Sequence, residues 1–232
     1  MLGQEGKREA GKAQGKEVVG QKALVVMMKY PAAGEVKTRL VPPLTHSQAC
    51  GLYGCFLRDI FAALPSLTDT DIWAAYAPVT AQKEVRALVP GGFGIFAQEG
   101  ADLGERMRNA FSRLFSQYEK VSMIGTDSPD LPGSLISDSF EKLDKADAVF
   151  GPAEDGGYYL IALKNPVDAL FKGIKWGSSS VLADSLEKAR QEGISTSLLD
   201  PWHDIDRPED LKYLRGSNSA PESSAFLRKL AL

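Results

Sequence analysis

The chain has 232 residues, 44% hydrophobic and 25% charged, the balance of a globular domain long enough to bury a substantial core. Its net charge of −3 excludes the overall basic field that carries nucleic-acid or membrane-surface binding, so an anion site must be built from local cations. No apolar run approaches the roughly 20 residues of a membrane span, and with two histidines and two cysteines a His/Cys zinc site is disfavoured.

Residues 1–21, rich in Gly, Lys and Gln, lack the apolar centre of a signal peptide and read as a mobile tail, so a cytoplasmic protein is expected. Ala23–Met28 (ALVVMM) is apolar throughout, which predicts a strand covered on both faces. Residues 29–40, KYPAAGEVKTRL, predict a loop punctuated by Pro31 and Gly34 and carrying Lys29, Lys37 and Arg39. Thr45 or Ser47 can cap the next helix, which runs to about Leu64 with Leu52, Phe56, Ile60 and Leu64 on one apolar face. Cys50 and Cys55 lie on this helix about 500° of rotation apart, which predicts buried small hydrophobes rather than a disulfide or shared metal.

Asp71–Ala77 is the second expected strand, Ala81–Leu88 a short helix and Gly94–Gln98 the third strand. Asp102 and Glu105 have capping-box spacing, and Met107, Ala110, Phe111, Leu114, Phe115 and Tyr118 then follow a helical period. Arg106, in the first turn, is a candidate to reach a site. Residues 121–132, VSMIGTDSPDLP, read as a buried strand that stops at Gly125 and offers Asp127 and Asp130 in a Ser/Pro-rich turn. A helix over Leu135–Leu143 precedes strands at Ala146–Phe150 and Tyr158–Leu163, joined by GPAEDGG. A helix over Ser178–Gln191 and a strand over Thr196–Leu199 follow. Asp206–Asp210 (DRPED) opens another helix, with Asp206 and Glu209 at capping-box spacing and Pro208 in the first turn. Ala225–Leu232 is expected to add a terminal helix. The alternation predicts a single α/β domain over residues 22–216, a mixed, mostly parallel sheet covered by helices, with 217–232 as a C-terminal extension. The close succession of the fifth and sixth strands requires an antiparallel strand.

Four polar segments follow apolar strands: residues 29–39, 125–130, 151–157 and 202–207. If those strands are parallel, the segments gather on the edge of the sheet where ligands sit in open α/β folds. The first supplies cations for diphosphate or triphosphate oxygens, Arg39 by a paired contact and Lys37 as a point charge. The second supplies carboxylates suited to Mg²⁺ or Mn²⁺. The third can bring backbone amides close to a ligand at Gly156 and Gly157. The fourth adds Asp204 and Asp206 as further metal ligands. Trp176 and Trp202 read as packing residues. Neither a P-loop nor a GxGxxG fingerprint is present, and no Ser-centred elbow supports a hydrolase triad.

The segments KYPAAGEVKTRL, DLGERM, GTDSPDLP, GPAEDGGYYLIAL and DIDRPEDL, in this order, resemble the bacterial glycosyltransferase-A-like transferases of the radical-SAM/selenodomain-associated type. These are similar to phospholactate guanylyltransferases and, more distantly, to molybdenum-cofactor guanylyltransferases. The resemblance implies the nucleotide-diphospho-sugar transferase (GT-A, Rossmann-like) fold with one nucleotide site. It implies that Lys29, Gly34, Lys37 and Arg39 line the nucleotide phosphates, that Asp127 and Asp206 serve a divalent metal, Mg²⁺ or Mn²⁺, and that Asp155, Gly156, Gly157 and Tyr158 face the acceptor. Sugar transferases of this fold usually carry a D-x-D metal motif, whereas Asp127 and Asp130 are three residues apart.

The expected function is metal-dependent transfer from a nucleotide-activated donor to a small-molecule acceptor, with Asp127, Asp155 and Lys37 as catalytic candidates. One form is glycosyl transfer from an NDP-sugar, with Asp155 as base for an acceptor hydroxyl. An alternative is nucleotidyl transfer, in which a phosphate or carboxylate acceptor attacks an NTP and pyrophosphate leaves. A third is a non-catalytic nucleotide-binding module. No nucleic-acid partner is expected.

Overall fold

The structure, a computed structural model, describes residues 20–230. The expected tail lies outside the described residues as far as position 19, and so do the last two residues of the expected terminal helix.

Among the described residues seven strands form one sheet: β1 (Gly20–Lys29), β2 (Asp71–Ala77), β3 (Gly94–Ala97), β4 (Tyr118–Ile124), β5 (Ala148–Pro152), β6 (Tyr158–Leu163) and β7 (Thr196–Leu198), in the order β3-β2-β1-β4-β6-β5-β7. β1 pairs in parallel with β2 and β4, β2 with β3, and β5 with β7. β6 is antiparallel to both β4 and β5. It is the reversed strand that the short 151–157 connection demands. Because β6 starts where β4 and β5 end, its first residue joins their C-terminal edge.

Six α-helices among the described residues cover the sheet: α1 (His46–Ala63), α2 (Gln82–Leu88), α3 (Leu103–Leu114), α4 (Gly133–Lys142), α5 (Val181–Gln191) and α6 (Pro221–Lys229). Successive residues of β1 feed opposite layers, as the period of two in a strand requires. Leu24, Val26 and Met28 pack with Leu52 and Phe56 of α1, Ile136 of α4 and Leu227 of α6. Ala23 and Val25 pack with Phe111 and Leu114 of α3 and Ala189 of α5. The continuous apolar run of β1 is therefore that of a strand buried on both faces.

Four expectations are corrected. Tyr118 belongs to β4, not to the helix before it: α3 ends at Leu114, and the Tyr118 hydroxyl accepts from Trp73 Nε1 at 3.1 Å and donates to Asp71 at 2.8 Å, anchoring it to the sheet. α5 starts at Val181 because residues 178–180 form a turn packed over Gly156. The DRPED segment makes a short 3₁₀ helix over Pro208–Tyr213 that Asp206 does not cap. Asp210 does so instead, its carboxylate accepting the N–H groups of Asp206 at 3.0 Å and Arg207 at 2.7 Å, which leaves the Asp206 side chain available elsewhere. In DLGE, Asp102 accepts the Glu105 N–H at 2.9 Å, but Glu105 reaches back to Ala101 rather than to Asp102.

The chain returns at α6 to lie on α1. Gly51 gives room for the Phe226 ring, which a Cβ there would meet at 2.9 Å. Buried Asp59 of α1 caps α6 from outside the helix, accepting the N–H groups of Glu222 and Ser223 at 2.9 Å each and the Ser223 hydroxyl at 2.6 Å.

Candidate active site

A cleft of about 510 Å³ opens at the C-terminal ends of β1, β4 and β5 and the start of β6. Its walls include Lys29, Lys37, Arg39, Asp127, Asp155, Gly157, Tyr158, Asp204 and Asp206.

Lys37 is the centre of its charged end. Val36 and Leu40, both buried, pull the loop after β1 down onto α1, and Lys37 between them adopts a left-handed conformation (φ 48°, ψ 38°). That backbone is unfavourable for a side chain other than Gly, Asn or Asp, and three contacts of the inward-pointing ammonium offset it. Nζ donates to an oxygen of Asp127, to the Ile205 carbonyl at 2.7 Å and to Asp206 Oδ1 at 2.8 Å. All three ammonium protons are thereby committed. Nζ also lies 5.3 Å from the centre of the Phe56 ring. Burial alone would lower the ammonium's pKa, but Asp127 and Asp206 outweigh it and hold the group above its ordinary value. The Lys37 side chain is 3% exposed, whereas Asp127 is half-exposed and open to the cleft. Arg39, on the rim, stands 3.6 Å from Asp206.

The two acids of the turn after β4 part company. Asp130 does not face the cleft: buried, it accepts from His203 Nε2 at 2.9 Å and Trp202 Nε1 at 3.4 Å. The His203 ring is held in turn between Trp202 and Tyr213, with centroids 4.9 and 3.9 Å away. This clamp fixes residues 202–206 against the turn, and the Ile205 N–H donates to the Asp127 carbonyl at 2.8 Å. Asp204 is brought to the cleft by the same clamp, with the Ser128 hydroxyl 2.8 Å from its Oδ1. Burial, and next the charge of Asp127, push the Asp204 carboxyl up to about 7. Three carboxylates therefore converge, with Lys37 as the cation buried among them. No group of three or more Asp, Glu, His or Cys among the described residues is arranged to hold a metal ion by itself, so a divalent cation here would need phosphate oxygens of a substrate beside Asp127 or Asp206.

The opposite wall is the 151–158 connection. Asp155, which lines the cleft, accepts the Gly157 N–H on Oδ1 at 2.8 Å in an Asx turn. Tyr158 lines the wall with its ring edge-on to Phe150 and Trp176. Its hydroxyl is buried, which pushes it well above the ordinary phenol range and suits packing rather than proton transfer. Two of the expected glycines stand outside the cleft lining. Gly34 (φ 87°) faces open space. Gly156 (φ 89°) packs on the next loop, where a Cβ would come within 2.1 Å of the Ser179 carbonyl. Arg106 and Trp176 do line the cleft.

Tyr53 and Gln98 also line it and carry no expected role from sequence. Tyr53 ties two strand ends together, accepting the Lys29 N–H at 3.1 Å and standing 3.0 Å from Thr126 Oγ1. As part of an apolar helical stripe it is indistinguishable from core by spacing. Gln98 follows β3 directly, and that position at a C-terminal strand end was the available signal.

A protein of Desulfovibrio desulfuricans G20, provisionally described as a nucleotide-diphospho-sugar transferase, superposes with a TM-score of 0.83 at 32% identity, over 91% of this chain and 96% of its own. The 2-phospho-L-lactate guanylyltransferase of Methanothermobacter thermautotrophicus is 26% identical over 199 residues, covering 84% of this chain and 85% of that protein. At 12% identity the likeness to a 4-diphosphocytidyl-2C-methyl-D-erythritol synthase from Anaerococcus prevotii is one of fold, with a TM-score of 0.55 over 89% of this chain and 96% of that one. Residues 60–178 match the family described as "Uncharacterized protein conserved in bacteria (DUF2064)". The chain belongs to that family, and it is a transferase enzyme built on the nucleotide-diphospho-sugar transferase fold.

Proposed function

We propose that the protein is a nucleotidyltransferase that couples a nucleoside triphosphate to a small phosphorylated acceptor and releases pyrophosphate. The observation that carries this reading is the buried Lys37 ammonium joined to Asp127 and Asp206, with Lys29 and Arg39 on the same cleft. A triphosphate brings more negative charge than the diphosphate of a sugar donor, and this end of the cleft is cationic at its rim and acidic at its floor. The similarity to a 2-phospho-L-lactate guanylyltransferase supports the same reading and makes GTP the first donor to test.

In this reading Lys29 and Arg39 hold β- and γ-phosphate oxygens, and Lys37 fixes the position of the floor carboxylates. Asp127 and Asp206, with Asp204 beside them, would hold Mg²⁺ or Mn²⁺, which supplies charge neutralisation at the phosphates. An acceptor phosphate oxygen, aligned along the wall of Asp155, Gly157 and Tyr158, attacks the α-phosphorus. The bond from that phosphorus to the bridging oxygen breaks, and pyrophosphate leaves with the electron pair. No covalent enzyme intermediate is needed, so positioning and electrostatics carry the catalysis.

Glycosyl transfer from an NDP-sugar is the second reading, favoured by the description given to the Desulfovibrio desulfuricans protein. There Asp155 takes the proton of an acceptor hydroxyl, and a nucleoside diphosphate is released. Incubating the protein with Mg²⁺, a nucleoside triphosphate or an NDP-sugar, and 2-phospholactate or a hydroxyl acceptor separates the two. Pyrophosphate formation is expected, and Asp127→Asn abolishes it with the fold retained by circular dichroism. Nucleoside diphosphate release from an NDP-sugar, with no pyrophosphate from any triphosphate, would overturn the first reading. Binding without turnover of either donor class would identify a non-catalytic module.

A further inference from the structure

Gln98 closes the end of the cleft beyond β2 and β3. Its backbone N–H donates to the Tyr76 carbonyl at 2.8 Å, continuing the sheet. Its carboxamide Nε2 donates to two backbone carbonyls, Met28 at 3.0 Å and Ala75 at 2.8 Å. Carbonyl oxygens only accept, so turning the amide over would set an oxygen against two oxygens. The orientation is therefore fixed by chemistry, and both amide protons are used.

The amide oxygen has no hydrogen-bond partner among the described residues, yet it is not a buried orphan: the buried unpartnered side-chain oxygens there belong to Tyr158 and Ser185. Gln98 lines the cleft, so Oε1 is a fixed acceptor presented to whatever occupies this end. Leu103 and Met107, on the first turns of α3, line the same cleft, and Leu103 is one of the exposed large apolar side chains of the protein. A flat ring with an apolar face and a donor edge matches an apolar ledge beside a locked acceptor.

We propose that Gln98 is a specificity-determining residue that reads the nucleobase, its Oε1 accepting from a guanine N1–H and 2-amino edge while the ring lies on Leu103. This rests on the nucleotide-donor reading above. Guanine sets two adjoining donors on one edge. Adenine and cytosine set a single amino group beside an acceptor nitrogen, and uracil sets its one N–H between two carbonyls. A fixed acceptor therefore favours guanine. Because the protein spends both amide protons on its own backbone, it offers no donor at this point to a base that presents only acceptors.

The test is calorimetric binding with Mg²⁺ to the full chain, using GTP, 1-methyl-GTP, ATP, CTP, UTP and inorganic triphosphate. Wild-type protein is expected to bind GTP at least about tenfold more tightly than 1-methyl-GTP and the other bases, a difference of about 1.4 kcal/mol. Gln98→Met, which keeps the side-chain length and removes the acceptor, is expected to bind all five nucleotides equally. Its affinity for inorganic triphosphate should match wild type. Equal wild-type binding of GTP and 1-methyl-GTP would overturn the proposal without any variant. A preference that survives in folded Gln98→Met would do the same. Failure of the wider reading looks different, since neither nucleotides nor inorganic triphosphate would then bind the wild-type protein.

Discussion

Lys37 and Asp206 are 169 residues apart along the chain and 2.8 Å apart in space. The same ammonium holds Asp127, so one cation fixes two carboxylates from different strand ends. Lys37→Met should leave the two acids facing each other with no counter-charge between them. We expect a loss of about 1–3 kcal/mol in stability, less than for a wholly buried pair because Asp127 is half-exposed to water. Triphosphate binding should fall more than tenfold while the free nucleoside is affected little. Denaturant unfolding and calorimetry measure both, and equal losses for triphosphate and nucleoside would remove Lys37 from the phosphate end.

Asp204 gives a pH signature with a definite sign. An aspartate in the unfolded chain titrates near about 3.9, whereas burial and then Asp127 push Asp204 up to about 7 in the folded protein. Between these values the folded state keeps a proton that the unfolded state has released. This contribution to stability is thus fully present below about pH 4, is lost as pH rises towards 7, and is flat above that. Asp204→Asn should remove the slope and gain roughly 1–3 kcal/mol relative to wild type at pH 8, with little gain at pH 4. Unfolding of both proteins in chelator across this range checks it. A difference that does not vary with pH would mean that Asp204 is ionised throughout.

Asp59 should matter to stability and not to the cleft, which it does not line. Asp59→Ala leaves two N–H donors of α6, that of Ser223 buried and that of Glu222 partly so, and the buried Ser223 hydroxyl without their acceptor. A cost of about 2–4 kcal/mol is expected, with faster amide exchange over residues 221–229. Nucleotide affinity should be unchanged at temperatures where the variant is folded.

Two glycines with nearly the same backbone should respond differently. Gly34→Ala meets no neighbour and carries only the left-handed strain, about 1 kcal/mol. Gly156→Ala has the same strain and also drives a Cβ to 2.1 Å from the Ser179 carbonyl, so the loop before α5 must move. We expect a loss of about 2–4 kcal/mol and weaker acceptor use. Thermal melts of the two variants side by side test the contrast.

The strands were legible in sequence because a helix-covered sheet needs unbroken apolar runs. β2 and β6 begin and end where their patterns do, at Asp71–Ala77 and Tyr158–Leu163. The polar segments at the strand ends were legible for the same reason, since each starts where the apolar run stops. What sequence did not reveal was direction within a turn. Asp127 and Asp130 look alike as residues, and partners more than 70 positions away decide between them: Ile205 pairs with the Asp127 backbone, and His203 takes the Asp130 side chain. Gly156 posed the same difficulty. An Asp-Gly-Gly run signals a turn, but whether a ligand or the Ser179 backbone comes near is settled by tertiary packing.

The clamp on Lys37 also sets an order of events during synthesis. β1, β2 and β4 can pair as soon as residue 124 has emerged, but the carboxylate of Asp206 and the carbonyl of Ile205 arrive more than 80 residues later. Until then the ammonium has one carboxylate instead of two, and the loop around it lacks its closing contacts. A nascent chain halted before β7 thus carries most of the sheet and most of the cleft's walls, but its charged floor closes only once residues 204–206 have been made.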